Sequence, residues 1–120
     1  MLENEIDIEE VISVFKALSD PNRHRIFAEL MKGNSCNCEL EESLDLSRNL
    51  LSHHLRVLSN VGLIDSRKDA VDGRWIYYSV NTAAATRWHK YFNDYFNPER
   101  IQERPFCGPE GETISLEKIT

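Results

Sequence analysis

Residues 35–79 constrain the fold of this chain more than any other stretch. A Cys-x-Cys pair, Cys36-Asn37-Cys38, stands directly before Glu39-Leu-Glu-Glu-Ser-Leu44, which predicts a short helix. A tight turn follows, and residues 47–58 (Ser-Arg-Asn-Leu-Leu-Ser-His-His-Leu-Arg-Val-Leu) predict a second helix. At about 100° per residue, Arg48, Asn49, Ser52, His53 and Arg56 fall within one arc of roughly 140°. Leu50, Leu51, His54, Leu55, Val57, Leu58 and Val61 fill the opposite side. A helix that reads DNA needs this division, with an apolar face seated on its partner helix and a polar face turned to base edges and phosphates. Ser47 is placed to cap the helix at its start and Gly62 to end it.

After Gly62 the period changes. Leu63-Ile-Asp-Ser-Arg-Lys68 and Arg74-Trp-Ile-Tyr-Tyr-Ser-Val80 are rich in β-branched and aromatic residues, and the loop between them holds Asp72-Gly73. That pattern predicts a two-stranded hairpin with Arg67, Lys68 and Arg74 near its tip. A helix-turn-helix followed by a basic hairpin is a winged helix, in which one helix enters the major groove and the wing touches the flanking backbone or minor groove. Asp65, Asp69 and Asp72 share the hairpin, so the wing is not a purely cationic arm.

The flanking sequence reads as scaffold. Ile6, Ile8, Val11, Ile12, Phe15 and Leu18 predict the apolar side of a first helix. Asp20 and Pro21 then restart the chain as N-cap and first helical residue, and Ile26, Phe27, Leu30 and Met31 supply the core side of the next helix. Ala84, Trp88, Tyr91, Phe92, Tyr95 and Phe96 make an aromatic stripe at helical spacing over residues 82–96. The stripe is wider than one side of a small monomer buries, which predicts a two-fold dimer with this helix against the first helix and its symmetry mate. Asn97-Pro98 stops the helix. The expected architecture is therefore mainly α (α+β): about five helices and a two-stranded wing, as a homodimer. Residues 1–97 form the DNA-binding and dimerisation domain, and residues 98–120 a flexible tail carrying Cys107.

The length of 120 residues suits one domain, and no long apolar run or signal pattern points to a membrane. The expected location is the cytoplasm. A net charge of −6 has the wrong sign for a partner of nucleic acid. Segregation resolves part of this. Between Ser47 and Val80, Arg48, Arg56, Arg67, Lys68 and Arg74 outnumber Asp65, Asp69 and Asp72 by two, while the first fifteen residues carry Glu3, Glu5, Asp7, Glu9 and Glu10. Fields act within a Debye length of ~8–10 Å at ordinary salt, so a modestly basic face on an acidic body suffices to hold DNA. No nucleophile–base pair, phosphate loop or carboxylate dyad is present, which argues against an enzyme and gives no reason to expect an organic cofactor.

Phe15-Lys-Ala-Leu-Ser-Asp-Pro-Asn-Arg, Cys-Asn-Cys-Glu-Leu, Leu-Ser-Arg-Asn-Leu-Leu-Ser-His-His-Leu-Arg-Val-Leu, Gly-Leu-Ile and Gly-Arg-Trp-Ile-Tyr-Tyr-Ser-Val together resemble the ArsR/SmtB metal- and metalloid-sensing repressors. The match runs in order from Val11 to Val80. It implies a homodimeric winged-helix repressor that holds an operator when empty and releases it when an inducing ion binds. The expected DNA contacts are Ser47, Arg48, Asn49, Ser52, His53, Arg56, Arg67, Lys68 and Arg74.

The effector rests on the cysteines. Cys36, Cys38 and Cys107 are too few for a disulfide framework and leave metal or redox use open. Cys36 and Cys38, two apart at the mouth of a helix, can aim both sulfurs at one point, and a helix N-terminus is expected to lower a thiol's pKa. Thiolates select soft ions over hard ones. Arsenic-type members of the family place Cys-x-Cys-x-x-Cys here; in this chain the third position is Glu41, so Cys107 is the candidate third sulfur, from either protomer. Three sulfurs fit an As(III) or Sb(III) pyramid better than a tetrahedral ion, whereas an added oxygen from Glu39 or Glu41 admits Cd(II) or Pb(II). Two further alternatives are a metal-free thiol redox switch and a winged helix used for protein contacts. A second site type of the family, between paired C-terminal helices, is expected to be absent, because only His89 and Asp94 are available there. His54 is expected to be a packed structural histidine.

Overall fold

The computed structural model describes residues 6–111. In chain order the elements are α1 (Ile8–Ser19), α2 (Pro21–Leu30), β1 (Ser35–Cys36), α3 (Asn37–Leu44), α4 (Arg48–Asn60), β2 (Ile64–Lys68), β3 (Ile76–Val80), α5 (Thr82–Tyr95) and a 3₁₀ turn, Pro98–Arg100. The boundaries follow from capping chemistry. Asp7, Asp20, Ser47 and Asn81 each accept a main-chain N–H of the helix they open, and Pro21 needs no such acceptor. Gly62, at φ 79°, takes the left-handed turn that ends α4. Asp45 adopts the same region at φ 53° as the C-cap of α3, and so makes the turn between the two helices of the motif.

The sheet corrects one expectation. It has three antiparallel strands in the order β1-β3-β2, because Ser35 and Cys36 pair with Tyr78 and Tyr77. The hairpin itself is in register from Ile64↔Val80 to Lys68↔Ile76. Its loop is also wider than Asp72-Gly73 predicts. Gly73 is not at positive φ, and the loop closes through Asp69 N–H to Trp75 O at 2.8 Å and Trp75 N–H to Asp72 O at 3.1 Å. Asp69 organises it by accepting from Val71 and Asp72 N–H.

The core joins Val11, Val14 and Ala17 of α1 to Ile26, Leu30, Leu40, Leu44, Leu51, Leu55, Leu58, Leu63, Ile64 and Trp88. Two expectations change here. On α1 the buried face is Val11, Val14 and Ala17, while Ile8, Ile12 and Phe15 lie exposed one turn apart on a separate face. On α5, Trp88 is buried in its own chain's core, whereas Tyr95 and Phe96 remain exposed. α1 thus carries two apolar faces, one turned into the core and one left exposed. Arg87 ion-pairs with Glu10 at 2.7 Å and Phe15 meets Phe92 at 5.5 Å, which fixes α5 to α1. Beyond α5, Arg100 donates to Tyr95 O at 2.8 Å, so the start of the tail caps that helix. No helix among the described residues is long and apolar enough to cross a membrane.

Candidate nucleic-acid interface and thiol site

On α4 the division of faces is as expected: Leu51, His54, Leu55 and Leu58 are buried, while Arg48, Asn49, Ser52, His53 and Arg56 are exposed together. Leu50 is partly turned out as well. Ser47 is spent as the cap, accepting Leu50 N–H at 3.2 Å. On the wing, Arg67 and Lys68 are exposed, with the Arg67 guanidinium 5.2 Å from the Tyr77 ring. Arg74 is held in a two-pronged pair with Asp72, the shortest contact being 2.8 Å. That pair neutralises much of its charge. Asp69 accepts the Tyr77 hydroxyl at 2.7 Å, and this bond, with two main-chain donors, holds its carboxyl down at about 2.

Cys36 occupies a junction. It is the last residue of β1, paired with Tyr77 of the wing, and also the N-cap of α3, where Glu39 reaches back to accept its N–H at 3.0 Å. Asn37 ties the same point to the wing by accepting Ile76 N–H at 3.4 Å. Cys36 is buried and Cys38 exposed, and Cys36 is near enough to bear on the Cys38 thiol electrostatically. The helix terminus does not lower Cys38. Local desolvation, the neighbouring Cys36 sulfur and the charge of Glu41 push its thiol up.

Cys38 opens into a cleft of about 880 Å³ between α3 and the wing, lined also by Glu41, Arg48, Arg74 and Trp75. Glu41, at the third position of the motif, faces Arg48 of α4 at 3.7 Å. Cys107 is exposed, and among the described residues no three His, Cys, Asp or Glu side chains gather into a metal-holding group. Within one chain the two-sulfur pair therefore stands without a third donor already in place. The chemistry of the pair is that of soft sulfur donors, which select thiophilic ions, and Cys38 shares its open cleft with the Glu41 carboxylate.

Sequence reasoning missed three features of this region. Asn37 and the pairing of Cys36 with Tyr77 depend on a two-residue strand, which carries no periodicity. The Asp69–Tyr77 contact spans the loop, although the aspartates at positions 69 and 72 are the residues that cap such turns. Arg23 of α2 also meets His54 of α4, Nη1 to Nδ1 at 3.1 Å, a contact between residues on different helices.

A family model described as "Bacterial regulatory protein, arsR family" matches residues 20–66. The transcriptional repressor SdpR of Bacillus subtilis is 41% identical over 71 residues, which cover 58% of this chain and 74% of that one. A cadmium resistance transcriptional regulatory protein CadC homolog of Staphylococcus aureus is 40% identical over 73 residues, covering 60% of this chain and 58% of its own length. The arsenical resistance operon repressor of B. subtilis is 38% identical over 68 residues, 56% of this chain and 62% of that one. The chain thus spans less than two thirds of the cadmium and arsenical regulators. Among solved structures, an ArsR-like transcriptional regulator from Rhodococcus sp. RHA1 aligns with a TM-score of 0.64 at 26% identity, over 94% of each chain.

Proposed function

This chain belongs to the ArsR family of bacterial regulatory proteins, and from that premise we propose that it is a cytoplasmic, homodimeric transcriptional repressor that releases its operator when As(III) or Sb(III) binds Cys36 and Cys38. Regulators of this family are not enzymes. The polar arc of α4, with Arg48, Asn49, Ser52, His53 and Arg56, supplies the base and phosphate contacts, and Arg67, Lys68 and Arg74 the wing contacts. Residues 1–97 carry both reading and pairing, and the segment from 98 to 120 supplies Cys107.

One observation carries the reading: two neighbouring thiols stand where the wing strand and the positioning helix meet. The inducing ion supplies bonds to sulfur, strongest with soft thiolates. The rest is the chain's own response. Cys36 cannot move without disturbing both its pairing with Tyr77 and the cap that Glu39 makes at the head of α3. Glu41, one turn on, holds Arg48 of the reading helix. A rearrangement of the thiols is thereby transmitted to wing and reading helix at once, and release requires only that the ion prefer the rearranged conformation.

A second reading, Cd(II) or Pb(II), is favoured by the Glu41 carboxylate beside Cys38, since a mixed sulfur–oxygen set suits those ions. Titration of the reduced protein with As(III), Cd(II), Pb(II) and Zn(II), following both sulfur-to-metal absorbance and release of a labelled operator duplex, separates these. Release by As(III) under reducing conditions supports the first reading, and release by Cd(II) or Pb(II) alone supports the second. Release only on peroxide treatment, reversed by dithiol, replaces both with a redox switch.

A further inference from the structure

His54 lies on the reading helix yet is 4% exposed, and it is the one buried polar or charged side chain among the described residues. Its Nδ1 is 3.1 Å from Arg23 Nη1. A guanidinium only donates, so Nδ1 accepts and the ring proton sits on Nε2. The same guanidinium donates through Nε to Ala17 O at 2.7 Å, in the last turn of α1. One arginine thus clips three elements together: the end of α1, the first turn of α2, and the middle of α4.

We propose that Arg23 and His54 are positioning residues for operator binding, and that protonation of His54 opens this clip and weakens the hold on DNA. The inference rests on the repressor reading. The charged groups facing the ring are Arg23 and Asp20 from the α2 side, with Asp20 Oδ1 3.9 Å from Nε2, and His53 from its own helix, with ring centroids 5.2 Å apart. A proton on Nδ1 would set donor against donor and cation against cation at the Arg23 contact. Asp20 compensates only in part, because its oxygen already accepts the Asn22 and Arg23 N–H groups. Once the clip opens, α4 loses its polar tie to α1, the helix that Glu10–Arg87 and Phe15–Phe92 lock to α5.

The sign of the pH response is diagnostic. Burial, opposed by Asp20 and aided by Arg23, holds His54 below the ordinary histidine range, so the clip is intact at neutral pH and is lost only as the pH falls through the lowered pKa of the folded protein. General electrostatics acts in the opposite direction. Acidification adds positive charge to the protein and tightens non-specific DNA binding.

The test uses the duplex that the wild-type protein selects from a random-sequence pool, with affinity measured from pH 7.5 to 5.5 at constant ionic strength. Imidazole ¹⁵N spectra of the same protein follow His54. The expected result is an Nε2–H tautomer at pH 7.5 and a loss of affinity of about tenfold that shares the midpoint of the His54 titration. H54Q, whose side-chain oxygen keeps an acceptor for Arg23, is expected to bind at pH 7.5 within about threefold of wild type and to lose the acid-dependent fall. Wild-type affinity that stays flat or rises through the His54 midpoint overturns the inference, and so does an H54Q protein with the same fall. If no duplex is selected at pH 7.5, the repressor reading itself fails.

Discussion

The wing shows how far a single charge departs from its count in the sequence. Arg74 contributes a positive charge on paper, but Asp72 holds it in a two-pronged pair, and that contact keeps the Asp72 carboxyl low and the guanidinium high. Exposed pairs of this kind add little to stability. Asp72→Asn is therefore expected to leave the melting temperature almost unchanged while freeing Arg74 for a phosphate. Measured as DNA affinity against salt concentration, the slope should steepen by about one phosphate contact; an unchanged slope would mean that Arg74 stays away from the backbone. This coupling was within reach of the sequence only as a tension between aspartates and arginines in one hairpin. His54 was more legible, since a histidine inside an apolar arc must find a partner when buried. Its partner, Arg23, is thirty-one residues away and no local pattern names it.

Among the elements, the caps and the reading helix were plain in the residues. Asp20-Pro21, Ser47 and Gly62 do locally what their side chains or backbones dictate, and the apolar arc of α4 is the buried one. Gly62→Ala tests the last of these. At φ 79°, with open space where the added Cβ would go, the cost is conformational alone, about 1–2 kcal/mol by urea denaturation. A neutral substitution would show that the turn relaxes without it. The third strand was not legible, because two residues cannot display a period and Ser35-Cys36 gains its strand geometry only from Tyr77 and Tyr78. That short strand changes the meaning of the thiol pair. The Cys-x-Cys spacing places two sulfurs at the head of a helix, but only the tertiary fold attaches that head to the wing. The effect of the helix terminus on Cys38 was misjudged because local desolvation outweighs it, with Cys36 and Glu41, its neighbours at the head of the same helix, adding to the rise.

At the scale of the molecule, the aromatic stripe divides into two tasks. Trp88 completes the core of its own chain, while Ile8, Ile12, Phe15, Tyr95 and Phe96 leave an apolar surface on α1 and around the end of α5. Phe96→Glu, at a position 68% exposed, is expected to leave the fold intact but to yield monomers in sedimentation, with a steep loss of operator affinity as two half-sites no longer share one protein. Trp88→Glu is expected instead to unfold the chain, because it buries an unpaired charge. A Phe96→Glu protein that still sediments as a dimer would move the interface elsewhere. The central claim is that the Cys36–Cys38 pair converts ion binding into operator release. Its most direct test is fluorescence anisotropy of operator-bound protein under reducing conditions, titrated with As(III), for wild type and for the C36S and C38S proteins. The account predicts that all three bind the operator with similar affinity and that only wild type lets go; normal release from both variants would contradict it.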